Sequence, residues 1–148
     1  MAETAALTKI LHVRENEKKD AQMAYHQAMY VFEEIATKLY TLLKKKEKAE
    51  ESYESYLHTP ASLDVIKQQS AYIERLNRQI MDLQQDVLEA RSHMESKQHV
   101  LKDAHIEVKK FEKIIETRKQ SEAEVLKKTE KASMDEISLQ QFRSGRYR

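Results

Sequence analysis

The chain has no cysteine, no tryptophan, one glycine and one proline in 148 residues. Without cysteine there is no disulfide and no thiolate-ligated zinc. A lone glycine at Gly145 rules out the phosphate-cradling loops of nucleotide-binding folds, and no Gly-x-Ser-x-Gly elbow can form. Sheets need turns, and the Gly, Pro, Asn and Asp clusters that make turns are nearly missing, so a mixed α/β domain is excluded. No window approaches the roughly 18 apolar residues of a membrane span, and the opening MAETAALTKILHVREN has no basic segment followed by an apolar run. A cytoplasmic location is expected. Nor is there an excess of one charge: 26 Lys and Arg face 25 Asp and Glu, a net of +1. No long-range field draws the body toward nucleic acid or membrane, which leaves protein partners or a structural role.

What is present is a helix-forming composition, 34% charged and 40% apolar. Stepping by alternate fours and threes from Leu7 meets Leu11, Arg14, Lys18, Ala21, Tyr25, Ala28, Phe32, Ile35, Leu39, Leu42, Lys46, Ala49, Tyr53 and Tyr56. Only Arg14, Lys18 and Lys46 break this a/d stripe of a coiled coil. A second stripe starts at Ile66 and runs through Gln69, Ile73, Leu76, Ile80, Leu83, Val87, Ala90, Met94, Lys97, Leu101, Ala104, Val108, Phe111 and Ile115. It then decays through Arg118, Glu122, Val125, Thr129 and Ala132. A chain whose apolar residues form a narrow stripe cannot wrap them into a broad core, so a long, thin molecule is expected.

The two stripes are out of phase by one residue across Pro60. One residue is about 100° around a helix, so a single straight helix would swing its seam away from its partner. Proline also drives Thr59 out of the helical region. Two helices with a short connection follow, and short connections join antiparallel neighbours. Thr59 can cap the second helix with Pro60 at its first position, or Ser62 can cap it with Asp64 in the first turn. The expected fold is all-α, one coiled-coil domain over 1–148. Helix 1 spans about 3–57, the turn about 58–61, helix 2 about 62–135, and a flexible tail about 143–148. Folding at the proline sets Leu42 near Leu76, Ile35 near Leu83, Phe32 near Val87, Tyr25 near Met94, Leu11 near Val108 and Leu7 near Phe111. Helix 2 then outruns helix 1 from about residue 117, on the order of 25 Å if helical to about 135. An unpaired stripe of this kind usually has a partner elsewhere.

Constellations that could carry chemistry are weak. His93, His99 and His105 recur every six residues and so point to three faces of one helix, unlike the i, i+4 pair that chelates zinc. Adjacent carboxylates such as Glu33 and Glu34, or Glu50 and Glu51, lack a desolvated pocket to separate their acidities, and read as solvated faces. The run KKKEK at 44–48 is interleaved with Glu47, Glu50 and Glu51, which suits surface pairing better than phosphate binding. Small and charged seam residues set register more readily than they make a flexing element. Tyr53, Tyr56, Tyr72 and Leu76 gather at the turn, where two helices cannot bury them all, so some can anchor a partner. No catalytic residue, metal site or cofactor is expected.

Four segments, ENEKKDAQMAYHQAMYVFEEIATKLY (15–40), QQSAYIERLNRQI (68–80), IEVKKFEKI (106–114) and MDEISLQQF (134–142), resemble the FliJ family of flagellar type III export proteins, particularly its Bacillus-type members. The likeness covers nearly the full length. Its more specific features are the break near 60, the spacing of Tyr72, Leu76 and Ile80, and the triplet Met134, Asp135, Glu136. The resemblance implies a non-enzymatic stalk, an antiparallel coiled coil like the rotor shaft of rotary ATPases. Its terminal end enters the hexameric export ATPase, promotes ring assembly and links the ring to the export gate protein FlhA at the membrane base of the flagellum. It also implies handling of empty export chaperones. The family's gate-binding surface falls here on Leu42, Tyr72 and Leu76, while neighbouring Lys45, Gln79 and Leu83 depart from its residue types. Met134, Asp135 and Glu136 on the overhang are the candidate ATPase contact.

Two other functions fit the composition. One is a passive spacer that dimerises through its outer stripes or overhangs. The other is a nucleic-acid or membrane-surface binder using Lys44 to Lys46 and Arg143, Arg146 and Arg148, against which the interleaved glutamates argue. Sedimentation at micromolar concentration distinguishes the stalk, an elongated monomer, from the spacer, a dimer.

Overall fold

The computed structural model describes residues 2–146. They form two α-helices, α1 over Ala2–His58 and α2 over Leu63–Arg146, with no strand among the described residues. The helices pack against each other as an antiparallel hairpin. The chain divides into two compact units: a turn unit, Lys19–Lys102, and a terminal unit made of the residues up to Lys18 with those from Asp103 onward.

The connection is residues 59–62. At its start the Thr59 hydroxyl donates to the Ser55 carbonyl at 3.0 Å, one turn back, and satisfies an acceptor that the end of α1 would leave unpaired. At its end Ser62 is the N-cap of α2. Its Oγ accepts from the Val65 amide at 3.3 Å and its carbonyl accepts from Ile66 at 3.3 Å, with Asp64 in the first turn. Of the two caps compatible with the sequence, the chain uses Ser62, and Pro60 stays in the connection where its missing N–H costs nothing.

In the turn unit every stripe position of α1 from Ala21 to Tyr56, and of α2 from Ile66 to Leu101, is buried or half-buried. The buried residues are small on one helix and large on the other: Ala21, Ala28 and Ala49 of α1, Leu76 and Ile80 of α2. Alanine lets the backbones approach, and the branched side chains act as knobs. Polar ties reinforce the seam. Gln69 Nε2 donates to the Ala49 carbonyl at 3.1 Å, and the Arg91 guanidinium lies 6.0 Å over the Phe32 ring.

In the terminal unit the buried residues are Val108 and Ile115, both on α2. Leu7, Leu11, Arg14 and Lys18 of α1 are half-buried. Arg14 sits 5.9 Å over Phe111, Arg118 pairs with Glu3, and the Thr4 hydroxyl donates to Glu122 at 3.1 Å.

Two expectations are corrected. In the terminal unit the residues that meet lie further from the turn than a fold at the proline predicts: Phe111, expected against Leu7, carries Arg14, and Leu11, expected against Val108, lines a groove with Ile115. In the turn unit, by contrast, Gln69 on Ala49 keeps the expected level. Helical side chains lean toward their own N-terminus, so in an antiparallel pair they lean past each other and meet partners displaced along the axis. The second correction is the end of α2, which runs to Arg146 rather than stopping near 135, through part of the tail expected to be flexible. A glycine in a helix costs only about 1 kcal/mol against alanine, and no proline follows to stop the helix. Tyr147 and Arg148, also assigned to that tail, lie outside the described residues.

Ser62→Ala should lower stability by about 1 kcal/mol in urea unfolding. Leu76→Ala, which empties a core position, should cost about 2–5 kcal/mol, whereas Tyr72→Ala, on a side chain 37% exposed, should cost less, about 1 kcal/mol.

Candidate functional sites

Among the described residues no group of His, Asp or Glu is placed to hold a metal ion. The run KKKEK pairs along its own helix: Lys44 lies 3.9 Å from Glu47 and Lys46 lies 3.8 Å from Glu50. Such exposed pairs contribute little to stability and take up the charge that a phosphate would need.

The turn unit separates the three residues Leu42, Tyr72 and Leu76. Leu76, at 3% exposure, belongs to the seam and cannot touch a partner while the helices stay together. Tyr72 is 37% exposed, with the Arg75 guanidinium 5.9 Å over its ring. Leu42 is half-buried and forms the floor of an open groove of about 350 Å³ together with Leu83. Thr37, Lys38, Thr41 and Lys45 complete its lining. The Thr37 and Thr41 hydroxyls donate to carbonyls one turn back at 2.8 and 3.0 Å, which leaves their oxygens as acceptors only. The groove thus brings Leu42 together with Lys45 and Leu83, and leaves Tyr72 out of its lining.

The stripe pattern does not single out Lys38, Thr41 or the exposed Tyr40, Leu43, Met81 and Leu88, because all lie off the a/d positions. The signal that could have found them is an apolar residue where a two-stranded coil needs none.

In the terminal unit the last buried residue of α2 is Ile115, and every described side chain from Glu116 to Gly145 is exposed. Contacts from the start of α1 reach Arg118 and Glu122. Met134, Asp135 and Glu136 lie beyond them, all exposed, with Met134 at 68%. Exposed Val125, Leu126, Ile137 and Leu139 share this stretch, so apolar side chains alternate with charged ones over several turns. Two grooves lie at its beginning. One, of about 500 Å³, includes Leu11, Ile115 and Ala123. The other, of about 560 Å³, includes Ala123, Val125, Leu126 and Thr129. A helix left with apolar groups in water over this length is built to be covered.

Comparison with known proteins finds relatives along nearly the whole chain. A family model described as flagellar FliJ protein matches residues 3–146. The flagellar FliJ protein of Bacillus subtilis (strain 168) is 35% identical over 142 residues, which cover 96% of this chain and 97% of that protein. No solved structure matches significantly. With a family match over nearly the whole chain and a relative aligned from end to end, the chain belongs to the flagellar FliJ protein family.

Proposed function

We propose that this flagellar export component is a non-enzymatic stalk. The uncovered stretch of α2 docks into the hexameric export ATPase and promotes its assembly, and the turn unit contacts the export gate protein FlhA. The observation that carries the reading is the unbroken exposure of α2 from Glu116 to Gly145 in a helix that still bears apolar residues. A ring of subunits around a single helix can cover all of its faces, which suits apolar side chains spread around the axis rather than gathered in one stripe.

Met134 supplies an exposed apolar anchor, and Asp135 and Glu136 supply charge for basic groups of the ATPase. Toward the gate, Tyr72 and the groove over Leu42 are the contact, while Leu76 holds the helix that presents them. Handling of export chaperones uses the same exposed surfaces. Among the described residues no helix is long and apolar enough to cross a membrane; in this reading the protein reaches the membrane base of the flagellum from the cytoplasm through its partners.

Truncation after residue 117 should abolish stimulation of the export ATPase while far-UV circular dichroism still reports a folded hairpin; undiminished stimulation would overturn the assignment of the exposed stretch. Tyr72→Ala, which should leave the hairpin folded, should weaken binding to the cytoplasmic domain of FlhA by about tenfold in a titration, the loss of one anchor side chain worth more than about 1 kcal/mol.

A further inference from the structure

The start of α1 holds the terminal unit together poorly. Its seam positions are Leu7, Leu11, Arg14 and Lys18, two of them charged, and none is fully buried. In the turn unit the α1 seam from Ala21 to Tyr56 carries one charged residue, Lys46. Arg14 occupies a place where a leucine would complete the stripe. Its guanidinium bonds Glu17 on its own helix at 3.0 and 3.2 Å, while its Nε is buried without a hydrogen-bond partner. The contact of the guanidinium with the Phe111 ring favours docking, but the buried donor left unmade opposes it and offsets that gain. The polar ties to α2 from the first turn, Glu3 with Arg118 and Thr4 with Glu122, are exposed and therefore weak.

The other side of the same contact is different. Val108 and Ile115 are only 3% and 7% exposed, and they lie on a helix whose seam-facing side has residues 2–18 against it. We infer that residues 2–18 form a releasable strap, which opens as a unit from α2 and uncovers Val108, Phe111 and Ile115. Opening joins these three apolar residues to the stretch that is exposed from Glu116 onward. Residues 2–18 are the end of α1 beyond Ala21, its first buried residue, so they have the least packing to hold them in place. Use of the uncovered stripe by the export ATPase rests on the function proposed above; the opening itself is a property of the isolated chain and does not.

The absence of native cysteine allows a direct test on the full chain. Ile115→Cys and, as reference, Ile80→Cys place one thiol each at positions of similar burial, 7% and 5%. Maleimide labelling of Ile115→Cys should run on the order of tenfold faster than that of Ile80→Cys. Adding Arg14→Leu should bring the two rates together. Equal rates without Arg14→Leu, or a fast rate that Arg14→Leu leaves unchanged, would overturn the strap. Amide hydrogen exchange on the unsubstituted chain gives a second reading. Residues 5–18 should exchange as one group, faster than 25–56, whereas protection that climbs steadily from residue 5 means ordinary end fraying and no strap.

Discussion

Neither helix can bury its apolar stripe alone, and each finds cover only where the other presents a stripe at the same level and on the facing side. The four residues between His58 and Leu63 set that match. They absorb the one-residue change of phase between the stripes, which in a continuous helix would turn the second seam about 100° away from the first. They also cap both helix ends locally, through Thr59 on Ser55 and Ser62 on Val65, so that each end at the bend has one of its orphan backbone groups satisfied by a side chain. Seam burial in the turn unit, the groove over Leu42 and the exposed position of Tyr72 all depend on this facing being kept.

The fold was legible in the sequence because the signal is periodic and repeated. Every seam position read from the spacing, from Leu7 to Tyr56 and from Ile66 to Ile115, is buried or half-buried in the folded chain. Axial register was less legible, since spacing along one helix says nothing about how far side chains lean before they meet the other. Arg14 over Phe111 and Leu11 beside Ile115 are consequences of that lean. Choosing Ser62 over Thr59 as the cap was also beyond a local reading, because both residues have the required hydroxyl and both precede acceptable helix starts. The end of α2 was misjudged because a fading stripe signals the loss of a partner, not the loss of a helix; residues 136–146 lack a stripe and are helical through backbone bonding and favourable composition.

Candidate partner surfaces were legible only in part. A surface shows itself as apolar residues at places where the coil does not need them, and such residues are hard to weigh one at a time. Met134, Asp135 and Glu136 were singled out by the family resemblance alone, not by spacing. Leu76 did not separate from Tyr72, because a spacing of four puts both near one side of the helix, and only packing divides a core leucine from a flanking tyrosine. Lys38 and Thr41 gain meaning only beside Leu83, which is remote in sequence.

The bond from Gln69 to Ala49 has a consequence for how this chain can drift over generations. Its acceptor is a main-chain carbonyl, which every residue type supplies, so the bond makes no demand on the identity of residue 49. The demand is on volume: with Ala49 buried against the partner helix, a larger side chain would force the backbones apart and pull that carbonyl out of reach of the amide. Substitutions at 49 should therefore be filtered by size and hardly at all by chemistry, with glycine and serine the tolerated alternatives.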